Sequence, residues 1–177
     1  SSPNTTGLRI FHEPARLRGL IEGLVSVKKV PLFVKLPPWP RDDENRRELL
    51  KLAATAVDAG VDGLVIANTH PIESSRLQVG RGGLSGAPLF EHTELMIADI
   101  QAQVQGEVAI IACGGVSTGE HVWKLLASGA SAVQLYTAFI YEGPGLPARI
   151  NKRVSKLMSA AGITNIGDIS GEPPSIR

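Results

Sequence analysis

Four short apolar runs, each separated from the next by a helix-like segment, constrain this chain more than any other feature. They are Pro31-Leu32-Phe33-Val34-Lys35-Leu36, Gly63-Leu64-Val65-Ile66-Ala67, Val108-Ala109-Ile110-Ile111-Ala112 and Ala132-Val133-Gln134-Leu135. Around them, residues 16–29, 42–59, 90–105, 119–128 and 146–161 read as helices. In the first, Leu17, Leu20, Ile21, Leu24 and Val25 form one stripe. Acidic residues open the second helix and Gly60 ends it. Strands that alternate with helices in this way build a parallel sheet with right-handed crossovers. The strand runs do not alternate polar with apolar residues, which predicts a sheet buried on both faces.

Polar and glycine-rich residues collect just after the strands. Lys35 ends the first strand, Asn68-Thr69-His70 follow the second, Cys113-Gly114-Gly115-Val116 the third and Tyr136-Thr137 the fourth. Residues 79–88 form a glycine-rich loop containing Gly82-Gly83-Leu84-Ser85-Gly86. In (β/α) barrels this end of the strands is the catalytic face. The expected architecture is therefore α/β, about four β/α units of a TIM (β/α)8 barrel. A doubly wound sheet shares the repeating unit and is the competing architecture. Residues 1–171 read as one barrel-like unit and residues 172–177 as a polar tail.

Composition removes several function classes. The chain has 177 residues, 43% of them hydrophobic and 20% charged, with a formal net charge of +1. Nothing in this balance suggests a nucleic-acid footprint. Cys113 is the single cysteine, so no disulfide framework or zinc cluster can form within the chain. No run reaches the length of a transmembrane helix and no signal peptide is visible. The first residue, Ser1, lies in an apparent loop. The natural chain is therefore expected to extend upstream, where a targeting or membrane-binding segment would lie.

Each candidate residue carries a bland reading beside the functional one. Gly114-Gly115 lets backbone N–H groups approach a phosphate, with the Thr137 hydroxyl beside them, but a Gly-Gly pair also serves a tight turn. Lys35 at a strand end faces a charged ligand or snorkels out at the rim. Asn68-Thr69 offers amide and hydroxyl hydrogen bonds, or a turn or cap. Ser2, within Ser1-Ser2-Pro3-Asn4-Thr5, has no histidine partner at motif spacing. His70, after Asn68-Thr69, faces the site or, as loop histidines more often do, the surface, and His12, His92 and His121 lack metal-ligand spacing. Trp39 and Trp123 read as packing residues.

Taken in order, these segments resemble the class 2, quinone-linked branch of the dihydroorotate dehydrogenase family. The matching segments are residues 1–9, Val34-Lys35, Asp62-Gly63 through Asn68-Thr69, and Gly82-Gly83-Leu84-Ser85-Gly86-Ala87-Pro88-Leu89. Cys113-Gly114-Gly115-Val116-Ser117-Thr118-Gly119, Gly129-Ala130-Ser131, Leu135-Tyr136-Thr137 and Tyr141-Glu142-Gly143-Pro144 continue the set. The resemblance reaches about Gly171 and is specific as an ordered set.

It implies the C-terminal half of an FMN-binding barrel that oxidises dihydroorotate to orotate in pyrimidine synthesis, with a quinone as acceptor. Ser2 would be the general base for the C5 proton, with Thr5 and ordered water as the relay. The C6 hydride would go to flavin N5, and Lys35 would lie near the flavin N1/O2 edge. Asn4, Asn68 and Thr69 would bind the substrate. Ser85, Gly86, Gly114, Gly115, Tyr136 and Thr137 would join Lys35 in holding FMN. The alternative is a truncated half-barrel that binds flavin or phosphate without turnover. The full-length family is associated with the bacterial or mitochondrial inner membrane. Its remaining barrel strands would have to come from a missing N-terminal half or from a homo-oligomer. The chain departs from the family pattern in three places: Ala67 stands where Ser or Thr is usual, His70 where Thr is common, and Leu36-Pro37-Pro38-Trp39-Pro40 replaces the usual continuation after the lysine.

Overall fold

The computed structural model describes residues 13–38 and 42–176. Helix α1 (Pro14–Val25) leads into β1 (Phe33–Lys35), α2 (Asp43–Asp58) and β2 (Gly63–Ile66). A hairpin of β3 (His70–Glu73) and β4 (Arg81–Leu84) follows, then α3 (Phe90–Val104) and β5 (Ala109–Cys113). The chain continues through α4 (Gly119–Ala127), β6 (Ala132–Gln134), α5 (Thr137–Glu142) and α6 (Leu146–Ala161).

Strand order decides between the two expected architectures. The main sheet runs β1-β2-β5-β6 and every pairing is parallel. Each new strand is thus added beside the preceding one, with none of the order reversal that defines a doubly wound sheet. The helices form a single chain of neighbours, α1 on α2, α2 on α3, α3 on α4 and α4 on α6. That arrangement suits a layer wrapped around one side of a curved sheet, as in a barrel.

Register sorts the strand side chains into two layers. Leu64, Ile66, Ile110 and Ala112 have no exposed surface and join Ile97 and Ile100 of α3 in one hydrophobic core. Phe33, Gly63 and Ala109 share one cross-strand row, and Lys35, Val65, Ile111 and Ala132 another, on the opposite layer. This second layer is only partly covered: Phe33 is 40% exposed, Ile111 is half-buried, and Ala132 and Gln134 are exposed. The expectation of burial on both faces therefore holds for β2 and fails for β1 and β6. Within the described residues, four strands do not enclose their own inner face, and a barrel fills that space with side chains from all its strands.

Local chemistry sets the helix ends. The Asp42 carboxylate caps α2 by accepting from the Asn45 N–H at 2.9 Å, which holds its pKa below the ordinary 3.8. The Thr118 hydroxyl caps α4 by accepting from the His121 N–H at 3.1 Å. Gly162 ends α6 in the left-handed conformation. Ion pairs join neighbouring helices: Arg18 meets Asp58 at 3.3 Å, Arg46 grips both oxygens of Asp99, and Arg153 meets Glu120 at 2.6 Å.

A second apolar cluster lies between α4 and α6, built from Trp123, Leu146, Ile150, Val154, Leu157 and Ile169. The segment after α6 seals it. Trp123 Nε1 donates to the Gly171 carbonyl at 3.0 Å, Arg153 donates to the Ile176 carbonyl at 3.2 Å, and Ile176 packs on the cluster. Residues 172–176, expected as a polar tail, are thus docked on the fold.

The two layers respond differently to truncation. Ile110→Ala is expected to cost about 2–5 kcal/mol by leaving a cavity beneath α3. Phe33→Ala is expected to cost about 1 kcal/mol, because that ring already meets solvent. Urea unfolding of both variants, compared at equal m, checks the difference.

Candidate active site

The loops at the C-terminal ends of β1, β2, β5 and β6 surround one cleft of about 360 Å³. Parallel pairing places all four strand ends at the same rim, so residues distant in sequence meet there. Lys35, Asn68, Thr69, Ser85, Gly86, Gly114, Gly115, Tyr136 and Thr137 all line it, together with Cys113 and Leu135. Ser2 and Asn4 lie outside the described residues.

Lys35 is exposed, so no burial cost needs to be offset at its position. Its Nζ lies 3.8 Å from the Cys113 Sγ across the cleft wall. Asn68 performs the turn role that its residue type allows, since its Oδ1 accepts from the Thr69 N–H at 2.8 Å. Thr69 is held from the other side by the hairpin: a Cβ on Gly83 would lie 2.5 Å from the Thr69 Oγ1. Gly86 approaches Thr137 closely, with space for a Cβ only 3.0 Å from the Thr137 Cγ2.

Both readings of Gly114-Gly115 have support in the geometry. Both residues have positive φ, +145° and +75°. A Cβ on Gly115 would lie 2.3 Å from the backbone nitrogen of Phe90, so close packing alone demands glycine there. The same bare backbone lines the cleft. Behind this wall the Phe90 ring stacks on His121 with centroids 3.9 Å apart. The Ser117 N–H donates to the His121 Nδ1 at 3.3 Å, which places the ring proton of neutral His121 on Nε2.

Burial pushes the His121 pKa below its ordinary 6.5; Glu120 opposes this and Lys124 adds to it. Burial works to raise the Glu120 carboxyl, but the hydrogen bond and charge of Arg153 bring it below its ordinary 4.5.

Sequence reasoning missed three features of this region. The expected loop at residues 79–88 contains strand β4, paired antiparallel with β3 as His70↔Leu84 and Ile72↔Gly82. Arg81-Gly82-Gly83-Leu84 has no strand-like composition, and it pairs because the chain doubles back on His70–Glu73. Helix α5 was not expected either, being too short at six residues to show a period. His70, expected at the surface, packs edge-on against His92 with ring centroids 4.3 Å apart. Trp123 is buried as expected, and Trp39 and His12 lie outside the described residues. Among the described residues no group of three metal-ligating side chains occurs, and no helix is long and apolar enough to cross a membrane.

Two tests follow from the wall behind the cleft. Gly115→Ala is expected to cost more than about 2 kcal/mol in the ligand-free protein, measured by urea unfolding. Stability should also fall as pH drops below about 6.5, because the unfolded chain then binds a proton that folded His121 resists. His121→Gln should remove that share, at most about 1.4 kcal/mol per pH unit in a stability–pH profile.

Comparison with known proteins gives a consistent result. A family model described as dihydroorotate dehydrogenase matches residues 1–158. A dihydroorotate dehydrogenase (quinone) of Sphingopyxis alaskensis is 34% identical over 97% of this chain and 49% of its own length. The mitochondrial dihydroorotate dehydrogenase (quinone) of Arabidopsis thaliana is 35% identical over 97% of this chain and 39% of its own. The crystal structure of Eimeria tenella DHODH in complex with ferulenol superposes with a TM-score of 0.81 at 34% identity, covering 97% of this chain and 51% of that one. The chain spans about half the length, or less, of the relatives it matches.

Proposed function

The chain belongs to the dihydroorotate dehydrogenase family, and from that membership we propose that its cleft holds FMN and dihydroorotate, contributing to oxidation of dihydroorotate to orotate with a quinone acceptor within a full-length enzyme. One observation carries the reading. All nine described residues that the family resemblance assigns to cofactor or substrate line the same cleft.

The residues present suit an FMN-like group. Gly86, Gly114 and Gly115 leave the backbone bare where a phosphate needs N–H donors, and Ser85 and Thr137 add hydroxyls. Lys35 supplies a positive charge at the rim without having been buried, so it can stabilise negative charge that builds on a bound ring system. Asn68 and Thr69 bring an amide and a hydroxyl to the substrate side, pre-positioned by their own hydrogen bond and by Gly83. Asn4 joins them in this reading. When bound, FMN supplies a two-electron acceptor for the hydride leaving C6 of dihydroorotate. Ser2 takes the C5 proton at its Oγ, with Thr5 and water as relay. A hydroxyl is a weak base, so this role requires a site closed to bulk water. A quinone acceptor places the full-length enzyme at a bacterial or mitochondrial inner membrane.

A second reading is flavin or phosphate binding without turnover. What supports it is the described lining, whose bare glycine backbone at Gly86, Gly114 and Gly115 and hydroxyls of Ser85 and Thr137 suit a phosphate. The visible spectrum separates the two. Retained FMN that bleaches on anaerobic addition of dihydroorotate supports the enzyme reading. Retained FMN that does not bleach supports binding alone, and no retained FMN sinks both for this chain. Lys35→Met should slow the bleaching by about 10²–10³-fold while leaving the fold unchanged by circular dichroism.

A further inference from the structure

A closed ring of contacts lies behind the glycine loop of the cleft. Gly114 and Gly115 rest on the first turn of α3. A Cβ on Gly114 would lie 2.7 Å from the Thr93 Oγ1, and one on Gly115 2.3 Å from the Phe90 nitrogen. The Phe90 ring stacks on His121 of α4, with centroids 3.9 Å apart and planes at 19°. His121 returns to the loop through its Nδ1, which accepts from the Ser117 N–H at 3.3 Å. Gly115, Phe90, His121 and Ser117 thus brace one another, and the imidazole is the member that joins α3 to the end of the loop. The His121 backbone N–H donates to the Thr118 Oγ1 at 3.1 Å, which ties the start of α4 to the same loop.

We propose that His121 is a positioning residue for the cofactor: as a neutral imidazole it accepts from the Ser117 N–H and holds the Gly114–Ser117 backbone in the shape that receives a phosphate. The proposal rests on the reading of Gly114 and Gly115 as phosphate contacts.

A pair of glycines restrains its own backbone weakly, so N–H groups that must converge on an anion depend on what packs behind them. The ring can serve only while uncharged, because Nδ1 accepts only when it carries no proton. Burial favours that form. Protonation turns Nδ1 into a donor. The Ser117 N–H then loses its acceptor, and the Ser117 Oγ, 3.4 Å from Nδ1, becomes the group to which the ring can donate. The end of the loop changes partner, and its backbone is no longer held for the ligand.

Other charges act on the ring from the elements around it. On its own helix Glu120 favours protonation and Lys124 opposes it. Glu120 is paired with Arg153 of α6, and Lys124 with Glu172 of the C-terminal segment. Helix α3 carries Glu91, His92 and Glu94 close after Phe90, and Lys35 lines the cleft in front of the loop. All of these stay in place when His121 is replaced, so a difference between wild type and variant isolates the ring.

The test reads FMN affinity of the 177-residue chain, by quenching of flavin fluorescence, together with hydrogen-exchange protection of the Ser117 amide. Asparagine can place an amide oxygen where Nδ1 stands. Phenylalanine keeps the stack on Phe90 and has no acceptor. At pH 8, His121→Asn should bind FMN within about twofold of wild type and protect Ser117, while His121→Phe binds about three- to tenfold more weakly and loses that protection. Between about pH 8 and pH 5, wild-type affinity should fall relative to His121→Asn, by up to about tenfold per pH unit. Taking the ratio of the two affinities cancels the titration of the FMN phosphate itself, near about pH 6. Equal affinity in all three proteins, or equal weakening in both variants, would overturn the positioning role. So would a wild-type affinity that rises against His121→Asn in acid, because the imidazolium would then be attracting the phosphate directly. If His121→Phe does not fold, the pH comparison decides alone. A chain that binds FMN at no pH, yet protects Ser117 in His121→Asn and not in His121→Phe, would overturn the cofactor reading and leave the brace standing. Absence of both FMN binding and any change at Ser117 would overturn the two together.

Discussion

Everything at the cleft depends on one layer of packing, the contact between the helix-facing side of the sheet and the helices laid across it. Leu64, Ile66, Ile110 and Ala112 are wholly removed from water there and share a core with α3. That burial fixes the strand register, and the register fixes which residues emerge at the rim. Lys35, Ala67 and Cys113 come together because the strands beneath them are parallel and aligned. Slipping β5 by one residue would send Ile110 to the open layer and carry Cys113 to the helix side.

The opposite layer obeys a different constraint. Apart from Lys35 and Gln134 its side chains are small or apolar, and they are only partly covered by the described residues. Among the described residues, strands β1 and β6 each have a single neighbour in the sheet, so each presents an edge to whatever lies beyond. Charge is spread differently again. The ion pairs between adjacent helices sit on the outside of the helix layer, where solvent screens them and each contributes little to stability. They still favour one angular setting of each helix against the next.

Much of this was legible in the chain itself. The four apolar runs became the four strands of the main sheet, and the residues after them became the cleft, because strand ends in a parallel sheet all point the same way. Strand order then selected the barrel-like arrangement over the doubly wound one, a distinction that composition does not encode. What stayed hidden was structure without a local signature. Arg81-Gly82-Gly83-Leu84 pairs only because a turn returns it to His70–Glu73, and α5 is shorter than two helical turns. The exposure of Phe33 was hidden for another reason: an apolar run marks a residue as suited to burial without saying what will cover it. His70 was misread because its neighbour, His92, is 22 positions away and reaches it only through the fold.

The docking of residues 169–176 on α4 and α6 bears on the order in which the polypeptide can mature during translation. A chain emerging from the ribosome presents Trp123 well before Ile169, Gly171 and Ile176 have been synthesised. Until those residues appear, the indole lacks its carbonyl acceptor and the α4–α6 seam stays open at one end. The four strands whose ends form the rim, β1, β2, β5 and β6, all precede those residues in the chain. A chain that lacks Ile169, Gly171 and Ile176 therefore leaves the α4–α6 seam unsealed and its apolar cluster uncovered, which is what a chaperone would find as a greasy target.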